Sequence, residues 1–208
     1  MPATATLVDD FDDGTVNGEL WPGNYGVYSE VGGRARIQCD PDYGAYVSAS
    51  AYTLAGSSVS VRIYPPAAGG ATTSAYAQLL LPHSVDGTNV SAKVDRVTGK
   101  LRLASNVDYF DGSAVEATYD PVAHAYVRIS EASGTLTWST SPDGSTWTTR
   151  RTAATPAWVT ASTTISVQLE TRRNNGTVDY AEFDDLNTVP VVTPPAGNTR
   201  QAAFFALF

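Results

Sequence analysis

Acidic side chains open the question of chemistry in this chain. Glu182 and Asp184 stand two apart, a spacing that puts both on one face if the segment is a strand. Paired carboxylates on one face are what glycosidic bond cleavage uses, as acid and base or as acid and nucleophile. A third carboxylate extending the pair along that face is missing. The pair therefore reads as a polar strand edge, and the chain as non-enzymatic. A second acidic group is Asp9, Asp10, Asp12 and Asp13, just before Gly14, with Asp184 and Asp185 near the far end. If the first and last strands pair, Asp10, Asp12, Asp13, Asp184 and Asp185 converge. Hard oxygen ligands of that kind suit Ca²⁺. The competing reading makes them solvated turn residues. No cofactor is required, and structural Ca²⁺ is the one candidate.

Aromatic residues carry the other candidate chemistry, since sugars stack on exposed rings. The chain has 4 Trp and 11 Tyr. Trp21, Tyr25, Tyr28, Tyr43 and Tyr46 cluster early, and Tyr109–Phe110 lie in a loop-like segment, NVDYFDGS. Trp21, Tyr25, Tyr109 and Phe110 are the candidate glycan platforms. Core or loop anchoring is the competing use. His83 and His124 are far apart, and nothing resembles a nucleophile elbow. Cys39 is the single cysteine and reads as a small buried hydrophobe.

The elements that must position these residues are strands. Val59, Val61 and Ile63 alternate with polar neighbours, as do Val90, Ala92 and Val94, then Ala125, Val127 and Ile129, then Ile165, Val167 and Leu169. Leu79–Leu81 breaks the alternation and fits a central strand. Ser141-Pro-Asp-Gly144 has the residues of a type I turn with a glycine bulge. Such turns predict a consecutive meander over about residues 90–152. Leu7–Phe11 and Val178–Leu186 read as paired terminal strands. Only Thr155 to Ser162 reads as helix. Many short strands with Gly and Pro turns make an all-β, antiparallel two-sheet sandwich. The domain is read as 1–188, followed by a Pro-rich linker over 189–198 and an apolar segment over 199–208. Phe204, Phe205, Leu207 and Phe208 of that segment are candidate docking residues for a neighbouring protein.

Composition narrows the partners. A net charge of -8 and a single thiol argue against a nucleic-acid partner and against a disulfide framework. The opening MPATATLVDDFDDG has no basic or apolar run, so the expectation is synthesis in a cytoplasm. No stretch approaches a membrane span. Arginine outnumbers lysine 11 to 2.

The segments LVDDFDDGTV and LWP, GGRARIQCDPDYGAYVSASAYTLAGSSVSVRIYPP, LTWSTSPDGSTWTTRRT and YAEFDDLN together resemble concanavalin A-like (laminin-G-like) jelly-roll modules. More narrowly, they resemble versions in virion proteins of actinobacterial bacteriophages. The resemblance covers about residues 5–188. It implies a jelly-roll fold, a structural calcium near the chain ends, and a non-enzymatic virion protein of the minor tail or capsid decoration type. Such a protein would dock in multiple copies on other virion proteins and meet host cell-wall glycan. A stand-alone carbohydrate-binding module is the alternative, and a glycoside hydrolase the distant one.

Overall fold

In β4 (Ser58–Tyr64), Val59, Val61 and Ile63 are buried, while Ser58, Ser60, Arg62 and Tyr64 face outward. In β5 (Ala75–Pro82), Ala75, Ala77, Leu79 and Leu81 are buried, and Tyr76, Gln78, Leu80 and Pro82 face outward. Period-two burial of this kind forces one face of each sheet onto another sheet. The result, in a computed structural model describing residues 1–39, 43–160, 165–176 and 178–188, is an antiparallel two-sheet jelly-roll sandwich.

One sheet has seven strands, in the order β1 (Val27–Glu30), β2 (Ala35–Gln38), β13 (Tyr180–Asp184), β4, β9 (Tyr126–Ala132), β10 (Thr135–Ser141) and β11 (Thr148–Ala154). The other has six: β3 (Tyr43–Val47), β12 (Gln168–Arg173), β5, β6 (Asn89–Asp95), β7 (Lys100–Asn106) and β8 (Val115–Thr118). The expected meander is split. β6, β7 and β8 are consecutive in one sheet, and β9, β10 and β11 in the other. The chain changes sheet between β8 and β9, at a turn where Asp120 Oδ1 accepts the amides of Val122 and Ala123.

The core lies between the sheets. Trp138 on β10 is fully buried, and its indole N–H donates to the Ser91 carbonyl of the opposite sheet (3.0 Å). Phe11, Trp21 and Tyr46 form an edge-to-face cluster near one edge of the core, with Trp21 and Tyr46 rings 5.5 Å apart. Each fully buried large apolar side chain contributes about 1.5–3 kcal/mol of transfer free energy.

The terminal segments meet, though Leu7–Phe11 is not a strand. Asp9 and Leu186 exchange two backbone hydrogen bonds in an isolated bridge. The helix expected at Thr155–Ser162 is one turn, α1 (Ala157–Thr160). At the β10–β11 hairpin, Asp143 Oδ1 accepts the amides of Ser145 and Thr146, as the Pro-Asp-Gly spacing predicts. Among the described residues no helix is long and apolar enough to cross a membrane. The linker over 189–198 and Phe204, Phe205, Leu207 and Phe208 lie outside the described residues.

Candidate functional site

Strand register assembles the site on the outer face of the six-stranded sheet. Across β12, β5, β6, β7 and β8 the directly paired residues are Glu170, Gln78, Lys93, Arg102 and Glu116. Neighbouring strands are about 4.8 Å apart, so the row is a continuous polar band across the sheet. The neighbouring row holds Tyr43, Arg172, Tyr76 and Asp95. Of these, Glu170, Gln78, Lys93, Arg102, Tyr43 and Tyr76, with Leu80, Asn89, Asn106 and the loop residues His83, Asp86 and Tyr109, line a cleft of about 460 Å³.

Glu170 is buried to 8 % exposure and sits on the cleft floor. Tyr25 Oη donates to its Oε2 (2.9 Å). Gln78 Nε2 (2.7 Å) and Tyr76 Oη (3.3 Å) donate to its Oε1. Burial, and then the Glu170 charge, push the phenols of Tyr25 and Tyr76 up, so both stay protonated donors. Beyond Gln78, Lys93 stands over the Tyr76 ring (5.1 Å). Its amine is pushed down by burial. Arg102 reaches Asn106 Oδ1 (3.3 Å), and Asn106 Nδ2 donates to Asn89 Oδ1 (3.0 Å). The site thus offers one fixed carboxylate, several amides, two cations and three tyrosine rings on a polar floor.

One wall is a strained turn. Asp108 and Tyr109 both have positive φ (50° and 64°), between the bridged residues Val107 and Phe110. Two left-handed residues in a two-residue turn are the type I′ pattern, normally filled by Asn-Gly. A tyrosine there costs about 1–2 kcal/mol. Tyr109 N donates to Gly87 O (2.9 Å), and a Cβ on Gly87 would lie 2.5 Å from the Tyr109 ring. The far side of this loop is anchored by Asp111, whose Oδ2 pairs with the buried Arg151 (2.7 Å) and accepts the Ser105 amide (2.7 Å).

Of the four aromatic candidates, two serve the cleft. Tyr109 lines it at 73 % exposure, and Tyr25 holds Glu170. Phe110 is exposed and does not line the cleft. Trp21 is corrected outright. It is 2 % exposed, packs on Phe11 and Tyr46, and donates to Asp9 Oδ2 (2.8 Å), so no sugar can stack on it.

The Asp9–Leu186 bridge brings the two acidic ends together in the backbone, but the carboxylates are engaged separately. Asp184 and Asp185 lie beside Arg62 and Tyr126, with Tyr126 Oη donating to Asp185 Oδ2 (2.6 Å). Asp10, Asp12 and Asp13 stay in the N-terminal loop, where Asp10 and Asp13 accept amides two residues on. Among the described residues no three His, Cys, Asp or Glu side chains are grouped to hold a metal. Asp9 and Asp13 instead crowd Glu30, whose carboxyl is raised to about 7 by burial first and by those two charges next. Glu182 is taken by Arg34 and Arg36 (2.7 and 2.6 Å), so Glu182 and Asp184 are not a catalytic pair. Burial pushes the Cys39 thiol up to about 11, which fits an inert buried residue.

Glu170 was missed by sequence reasoning. Its donors lie 92 to 145 positions away, and only register brings them together. The signal within reach was the outward-facing polar set Tyr76, Gln78, Lys93 and Arg102 on strands that otherwise alternate with buried apolar residues.

No family model matches the chain, and no curated protein matches it. Solved structures do. A β-glucanase of Bacillus licheniformis is 15 % identical with a TM-score of 0.60, over 86 % of this chain and 95 % of that one. The endo-1,3-β-glucanase (laminarinase) catalytic domain of Thermotoga petrophila is 10 % identical with a TM-score of 0.61, over 86 % and 94 %. A laminarinase of Flavobacterium sp. is 7 % identical with a TM-score of 0.60, over 86 % and 96 %. At such identities the likeness shows the fold: a concanavalin A-like jelly roll. It also corrects the expectation of a non-enzymatic virion protein. The proteins sharing this fold here are glucanases and laminarinases, and the narrower likeness to phage tail proteins is not shown.

Proposed function

We propose that the protein is a carbohydrate-active enzyme. It takes a polysaccharide chain along the outer face of the six-stranded sheet and hydrolyses it there. The observation that carries this reading is Glu170, a carboxylate on the cleft floor held by three neutral donors and flanked by tyrosine rings. A carboxylate fixed in that way can take a proton from an attacking water without first reorienting. The rings of Tyr43, Tyr76 and Tyr109 offer stacking surfaces, and Gln78, Asn89 and Asn106 offer hydroxyl partners.

Among the described residues, the carboxylates lining the cleft are Glu170 and Asp86. Gln78, in the Glu170 row, and Pro82, before the Asp86 hairpin, are four residues apart on β5, about 13 Å of strand. That offset exceeds both the roughly 5–5.5 Å of a retaining pair and the roughly 6.5–9.5 Å of an inverting one, so Asp86 is not assigned as the partner of Glu170. The reading therefore rests on Glu170 as the base that activates water. The shared fold of a β-glucanase and two laminarinases supports a glycan substrate.

The test is reducing-end release from a panel of neutral and acidic polysaccharides that includes β-1,3-glucan, with binding measured in parallel by affinity electrophoresis. Glu170→Gln should lower release at least 100-fold while binding persists. No release from any polymer, or equal release by Glu170→Gln, would overturn the catalytic assignment.

A further inference from the structure

The proposed reading leaves open what kind of glycan the cleft takes, and the polar row answers that chemically. Glu170 meets its three donors from Tyr25, Tyr76 and Gln78, all uncharged, and acts on Lys93 through its field, not through an ion pair. Lys93 has an aromatic contact with Tyr76 but, among the described residues, no ion pair within 4.0 Å. Its register partner Arg102 is held by the neutral Asn106 and makes a stretched contact with Glu116 (3.6 Å), a side chain 53 % exposed. Arg172, over the Tyr43 ring at 4.6 Å, adds a third cation in the adjoining row. The acidic neighbours Asp95 and Glu116 act on Lys93 without an ion pair to it. Asp95 Oδ1 accepts the amides of Val97 and Thr98, and Asp86 is on the hairpin at the other end of β5. Two adjacent cations with spare donors therefore stand on the floor of a cleft in an otherwise acidic protein.

We infer that Lys93 and Arg102 form an anion subsite in the cleft, and that the glycan it takes is acidic, bearing a carboxylate or a sulfate on the sugar seated over β6 and β7. A half-buried ammonium with no carboxylate in direct contact is costly, and a bound anion supplies that contact and accepts the spare N–H groups. Arg102 offers the planar fork and Lys93 the point charge. Burial already depresses the Lys93 amine, and an anion beside it would raise it again. The subsite rests on the glycan reading of the cleft but not on Glu170 chemistry.

The probes are glucuronate, glucose 6-sulfate and glucose, titrated into ¹⁵N-labelled full-length protein while amide shifts are followed. The charged sugars should move the amides of Gln78, Lys93 and Arg102 at millimolar concentration, and glucose should not. Response to one anion alone would identify the source as uronate or sulfate ester. Lys93→Met should weaken the charged sugars at least 5-fold, and raising salt should do the same in the unaltered protein. Equal response to glucose, or an undiminished response in Lys93→Met, would overturn the subsite while leaving a glycan cleft standing. Absence of any response from all three would overturn the subsite, and the polysaccharide panel would then judge the cleft separately.

Discussion

At the scale of single residues, the cleft depends on groups whose freedom has been removed. Glu170 is fixed by three donors, and Tyr109 by a left-handed backbone and the Gly87 carbonyl. Gly87 has φ +73°, and a methyl there would strike both the backbone and the ring of Tyr109. Gly87→Ala should therefore move Tyr109 out of the cleft and weaken glycan binding about 10-fold, roughly 1.4 kcal/mol. Tyr109→Ala should match that loss, and the double variant should be no worse than either single one, because both changes remove one contact. Additive losses in affinity electrophoresis would contradict it. Tyr109 was legible in the sequence because an aromatic between Asp and Gly residues reads as a loop. Glu170 was not, because QLETRR looks like any strand until β5 and β3 are set beside it. Trp21 misled for the opposite reason: its Gly- and Pro-rich surroundings suggest exposure, while packing on Phe11 and Tyr46 buries it.

Between elements, one buried ion pair ties the loop over the cleft to the other sheet. Arg151 on β11 donates to Asp111 and to the Leu103 carbonyl on β7, and stacks over Trp138 (4.6 Å). Burial pushes the Asp111 carboxyl up, but hydrogen bonds from Arg151 and from the Ser105 and Ser113 amides outweigh this and hold it below its ordinary value. Arg151→Met strands a buried carboxylate and should cost about 3–5 kcal/mol in urea unfolding. Arg151→Met with Asp111→Asn should recover part of that loss, because the stranded charge is gone. No recovery would mean that Arg151 acts through packing on Trp138 alone. Faces were legible here, since period-two alternation sorts β4, β5 and β6 without any structure. The change of sheet between β8 and β9 was not. A hairpin and a crossover use the same turn residues, and only the two-sided demand for core burial decides between them.

For the molecule as a whole, protonation couples the buried carboxyls to stability. Burial raises Glu30 from 4.5 to about 7 and Asp184 from 3.8 to about 6, with Asp9 and Asp13 adding to the first and Asp185 to the second. Folded values above unfolded ones mean that the folded state holds these protons more tightly. The stability they confer is complete below the unfolded values and is lost as pH rises through about 6 and 7. Asp111 and Glu182 are lowered and act oppositely, losing their contribution on acidification below the ordinary carboxylate range. Tm should therefore fall between about pH 4.5 and 7.5, by roughly 2–4 °C for each kcal/mol lost. Glu30→Gln should flatten that fall and raise Tm at pH 7.5. A Tm that is flat or rising across this range would contradict the linkage. The sandwich was legible from strand pattern and turns, and the cleft was not, because it is a property of register across five strands. The most direct test of the central claim is amide-shift mapping of full-length protein with a bound oligosaccharide drawn from any polymer it cleaves. Shifts confined to Gln78, Lys93, Arg102, Asn106, Tyr109 and Glu170 are expected. Shifts centred on Arg62, Tyr64 and Tyr180, on the outer face of the seven-stranded sheet, would contradict the assignment of the cleft.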